Sequence, residues 1–160
     1  MKANLKKLTN FTFGSSSAII TNVSLIVGLG ASDVPKMGII GSLMIIAVAD
    51  NISDSLGIHI YRESESGGLK ESAISTVSNF LARLLTSLTF IGLVWYLPFA
   101  QAEVISIIWG VLLLGTISYL IARKNNDRPL LEILKHLATA MVVIAAARFV
   151  GGLIHNRFLR

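Results

Sequence analysis

The chain predicts an all-α membrane protein: five transmembrane helices in one domain over residues 1–160. Three observations predict it. Only 14% of the residues are charged while 53% are hydrophobic, and the mean hydropathy is +0.70; a soluble domain is about a quarter charged. The charges fall in short clusters, between apolar runs long enough to cross a hydrocarbon core of about 30 Å. The basic residues sit at the ends of those runs, where they orient helices in a bilayer. That position, despite a pI near 9.8, turns the reading away from nucleic acid. The chain has no cysteine, so no disulfide or thiolate metal site enters the argument.

The first element follows Lys2, Lys6 and Lys7 and spans about 11–31. Its apolar run is longer than a signal-peptide core and lacks a clear small-residue cleavage site, so it reads as a retained helix. It is unusually polar. Gly14, Ser17, Thr21, Ser24 and Gly28 share one face at helical spacing. Small residues of this kind let transmembrane backbones approach closely. The same face also reads as a hydroxyl-lined path, and both readings stand.

The second helix, about 35–65, opens at Pro35 and runs apolar from Met37 to Ala49. It then turns polar without a break, through Asp50, Asn51, Ser53 and Asp54 to Glu63 and Glu65. At 1.5 Å rise per residue, Asp50 lies roughly 22 Å and Asp54 roughly 28 Å along it. A carboxylate at such depth is costly and marks a functional site by default. Asp50, Ser53, Asp54, Gly57 and Tyr61 form one stripe, whereas His59 and Glu63 point elsewhere.

Gly67-Gly68 then mark a turn. The third helix, about 72–99, carries Thr76, Asn79 and Arg83 on one side. Counted back from the short link, Arg83 lies near the level of Asp54. It either pairs with Asp54 or Asp50 or extends to the interface. Trp95 and Tyr96 mark the opposite interface. The fourth helix, about 103–122, follows a turn from Pro98 to Gln101 and ends at the basic segment Arg123 to Pro129. The fifth, about 130–154, holds His136 at its start, Arg148 near its end, and Ala138, Ala145, Ala146, Gly151 and Gly152 for close packing.

Five spans put the termini on opposite sides. Lys2, Lys6, Lys7, Arg62, Lys70, Arg123, Lys124, Arg128 and Lys135 share the N-terminal side; Lys36, Arg157 and Arg160 lie opposite. The charge bias predicts a cytoplasmic N-terminus and an external C-terminus.

No nucleophile elbow, phosphate loop or zinc-spaced His pair occurs, so an enzyme is not expected. What remains is a carboxylate pair one helical turn apart, beside hydroxyls. Such oxygens suit hard or borderline divalent cations, and neighbouring acids suit proton exchange.

Two segments resemble the vacuolar iron transporter family. Phe13-Gly14-Ser15-Ser16-Ser17-Ala18, continuing to Val27-Gly28-Leu29-Gly30-Ala31, resembles its first-helix pattern F-G-x-x-D-G with a glycine-rich end. Ser53-Asp54-Ser55-Leu56-Gly57-Ile58-His59-Ile60-Tyr61, closing on Ser64-Glu65, resembles its second-helix pattern S-M-A-x-G-E-Y-x-S. The resemblance implies a five-helix homodimer that moves ferrous iron or manganese, by proton exchange, between the first helices. Three positions depart from the pattern: Ser17 stands for the family's aspartate, Asp54 for its methionine and Ile58 for its glutamate. The glutamate-rich insert between helices two and three is absent.

The resulting expectation is a homodimeric divalent cation transporter in the cell membrane, with the ion as substrate and no bound cofactor. Asp50 and Asp54 hold the ion or counter-proton; Ser17, Thr21, Asn22 and Ser53 line the path; Glu63 and Glu65 recruit cations at the cytoplasmic mouth; Arg83 is the ion-pair partner. The alternatives are a family-fold scaffold that has lost transport, and a transporter of another cation.

Overall fold

A computed structural model describes residues 2–64 and 69–158. These residues form α1 (Lys2–Ala31), α2 (Lys36–Ser64), α3 (Leu69–Tyr96), α4 (Phe99–Asn125) and α5 (Pro129–Phe158). All five are long and apolar enough to cross a membrane, which fits an integral multi-pass membrane protein. Helices are the natural solution there, because each satisfies its own backbone donors and acceptors.

Several helix ends differ from the sequence reading: α3 spans Leu69–Tyr96 and not 72–99, so that Phe99 opens α4, and α4 and α5 run on to Asn125 and Phe158. α1 begins at Lys2, ahead of Phe11. No Gly or Pro lies between them, so nothing stops the helix from extending through the lysines. α4 begins at Phe99, directly after Pro98, and not beyond Gln101. Pro98, at φ −55° and ψ 141°, supplies the extended residue before the first turn. The other end of α4 closes on Asn126, whose left-handed backbone (φ 62°) returns its N–H to the Ala122 carbonyl. Lys36, at the start of α2, donates to the carbonyls of Trp95 (2.9 Å) and Leu97 (3.0 Å) and so caps the end of α3.

α3 packs against both α2 and α1, and α5 packs against α1 and α4. α2 touches α1 only lightly, so α2 and α5 stand at opposite edges of the bundle. α1 and α5 meet at glycines. A Cβ on Gly151 would run into the Gly28 carbonyl, and one on Gly28 would come within 3.1 Å of the Ala147 carbonyl. The Ser32 hydroxyl is shared between the Gly28 and Gly151 carbonyls, at 3.0 and 3.1 Å.

The bundle interior changes character along its length. Toward the C-terminal end of α1 it is apolar, with Ile26, Ile39, Leu43, Phe90 and Val94 fully buried. Toward the N-terminal end it is polar. On α3, Ser72, Ser75, Asn79, Arg83 and Ser87 recur every three or four residues, and all are buried. The outside is the reverse of a soluble protein's. Ile45, Val48, Ile52, Val77, Leu85, Leu112, Met141 and Phe149 all project outward, as lipid-facing side chains do.

Candidate functional site

Arg83 is the centre of the polar half. Its side chain is 2% exposed, and each guanidinium nitrogen is engaged. Nε donates to Asn51 Oδ1 at 2.8 Å. Nη1 donates to Ser17 Oγ at 2.8 Å and lies 2.9 Å from Asp54 Oδ2. Nη2 donates to Asp50 Oδ2. The Asp54 contact is close but not aligned as a hydrogen bond, so it is chiefly a charge interaction.

Local sequence explains why these groups meet. Asp50, Asn51 and Asp54 are helical neighbours on α2, a helix that runs antiparallel to α3. Asn51 is fully buried and fixed by donating Nδ2 to the Ala47 carbonyl, which turns Oδ1 toward Arg83. One turn nearer the link between the two helices, Asn79 donates to Ser55 Oγ at 3.1 Å. α1 approaches closely because Gly14 has no side chain; a Cβ there would strike Asn79 Oδ1 and sit 3.2 Å from Arg83 Cγ.

The two acids are not sealed in. Their side chains remain 46% and 36% exposed, against 2% for Arg83. Each carboxylate thus has one side on the guanidinium and another that is open.

Asp50, Asp54, Ser17 and Arg83 come together. The remaining sequence candidates disperse. Thr21 and Ser24 lie further along α1 in a groove of about 480 Å³ shared with Gly28, Ser32, Ala147 and Gly151. Ser24 Oγ is buried there without a protein partner. Asn22 turns the other way, into the α1–α3 seam, donating to Ser87 Oγ (2.9 Å) and the Ala18 carbonyl (2.7 Å). Ser53 is exposed on the outer face of α2. Glu63 belongs with His59, whose Nε2 is 4.0 Å away and whose Nδ1 meets Thr76 Oγ1 at 3.2 Å. Glu65 lies outside the described residues.

Asn51, Ser55 and Asn79 are members of the network that the site reading did not include. The available signal was polar spacing: 51, 55 and 59 on α2, and 72, 76, 79, 83 and 87 on α3. Among the described residues, no three His, Cys, Asp or Glu side chains gather as a metal site would need. The cluster therefore offers two carboxylates, a hydroxyl and an amide around a fixed positive charge. Comparison with protein-family models, with curated proteins and with solved structures gives no match to this chain.

Proposed function

We propose that this chain is a homodimeric membrane transporter of a cation, in which Asp50 and Asp54 are the ion-binding carboxylates. One observation carries the reading: two half-open carboxylates share a single buried guanidinium. Arginine keeps its charge in proteins, so two ionised acids and one arginine leave one negative charge uncompensated. Inside a bilayer that charge is costly. A visiting cation removes the cost, and Thr21 and Ser24 line a separate groove further along α1.

The charge sum bears on which cation. One protomer balances a proton or a monovalent ion. Two protomers related by a two-fold axis would supply four acids and two arginines, leaving two negative charges, which is the charge of one divalent ion. A homodimer meeting at α1 and the adjoining edge of α2 would thus match iron or manganese, the substrates that the vacuolar iron transporter resemblance implies. The basic bias of the N-terminal side favours a cytoplasmic N-terminus in the cell membrane.

Manganese flux into proteoliposomes tests the proposal. Asp50→Asn and Asp54→Asn are made singly, so that Arg83 keeps one carboxylate and the fold survives. Each is expected to cut the flux by about tenfold or more. Unchanged flux in both variants would contradict the assignment.

A second reading is favoured by the fully engaged guanidinium. If the cluster is only a lock that holds α1, α2 and α3 together, the chain is a membrane scaffold. That reading predicts no saturable cation binding that depends on Asp50 or Asp54.

A further inference from the structure

A recess of about 430 Å³ opens between α1, α4 and α5, away from the acid pair. Its walls include Ile19, Val23, Ile107, Leu137 and Ile144. Every lining side chain is apolar except Arg148. The volume falls within the roughly 300–1,000 Å³ of ligand-binding pockets.

Its position relative to the helix ends decides what can enter. The lining residues of α5 run from Leu137 to Arg148. That is about 16 Å of helix, close to half of a hydrocarbon core of about 30 Å. Arg148 marks the interfacial end. It reaches Glu103, in the early turns of α4, at 3.3 Å through Nη1, and 69% of its side chain is exposed. Trp95, Tyr96 and the Lys36 ammonium belong to the same end of the bundle. The recess is thus an apolar slot one leaflet deep, with a cation at its headgroup level.

We propose that this recess is a binding site for a single phospholipid, with one acyl chain in the slot and the phosphate on Arg148. Arg148 is paired with Glu103 through Nη1, so the mouth carries a cation beside an anion; the remaining donors of the guanidinium fork suit the phosphate of a zwitterionic headgroup, and the carboxylate suits its ammonium. The site is independent of the transport reading, since it shares no side chain with the Arg83 cluster.

Native mass spectrometry of protein released from dioleoylphosphatidylcholine nanodiscs tests the site. Wild type is expected to retain one phospholipid per chain. Ala140→Leu projects a larger side chain into the slot, where Ala140 is a lining residue, and is expected to retain none. Arg148→Gln removes an exposed charge together with its Glu103 pair and is expected to lower retention about tenfold, as loss of a charge-assisted bond does. Ala146→Leu adds the same bulk to the other groove and is expected to behave as wild type. Wild type that releases all its lipid would overturn the proposal, as would retention by both Ala140→Leu and Arg148→Gln. A disulfide-linked dimer formed through Met141→Cys in the bilayer would overturn it too, by showing a second copy seated there.

Discussion

At the scale of the residue, Arg83 does what lysine cannot. Its three nitrogens serve Asn51, Ser17, Asp54 and Asp50 together, and a planar fork makes that division possible. An ammonium carries the charge on a single atom at the end of a flexible stem. Arg83→Lys is expected to lower stability in detergent by about 1–3 kcal/mol, the cost of leaving buried partners such as Asn51 Oδ1 unmet. A thermal midpoint equal to wild type would contradict this. The sequence made part of the cluster legible. Counting depth from the Gly67-Gly68 link sets Arg83 level with Asp54, and the structure has Arg83 on both acids. The orientation of Asn22 was not legible. It adjoins Thr21 in sequence, but one residue is about 100° of rotation on a helix of 3.6 residues per turn. That rotation carries Asn22 from the open groove into the α1–α3 seam.

At the scale of the element, five spans in order were readable because each helix is long and apolar enough to cross a bilayer. Helix ends were less so. The lysine segment of α1 has no breaker, and sequence alone does not say whether a polar stretch continues the helix into solvent. The stripe of small residues on α1 was readable as a face, but not its division between neighbours. Gly14 meets α3, whereas Gly28 meets α5, because those helices contact adjacent sectors of α1. The adjacent glycines of α5 offer a direct test. Gly151→Ala drives a methyl into the Gly28 carbonyl and is expected to destabilise by about 1–3 kcal/mol. Gly152→Ala meets nothing within 4 Å and is expected to be neutral or to stabilise by about 0.5–1 kcal/mol, since alanine is the better helix former. Equal midpoints for the two variants would contradict the account of the α1–α5 contact.

At the scale of the whole molecule, the polar half of the bundle lies on the side that carries most of the basic residues, and the apolar half seals the other. The charge bias predicts that the polar side faces the cytoplasm. The chain has no cysteine, so single replacements report topology cleanly. A membrane-impermeant maleimide applied to intact cells is expected to label Asn156→Cys and to spare Asp127→Cys; the reverse pattern would invert the orientation. The central claim is that the charge left over beside Arg83 is there for a cation to neutralise. Equilibrium binding of radioactive manganese to the purified protein, with radioactive sodium in parallel, tests it most directly. The account predicts saturable binding of at least one of them, lost in Asp50→Asn and in Asp54→Asn while both variants keep their helical signal. Absence of saturable binding, or binding that survives both substitutions, would contradict it.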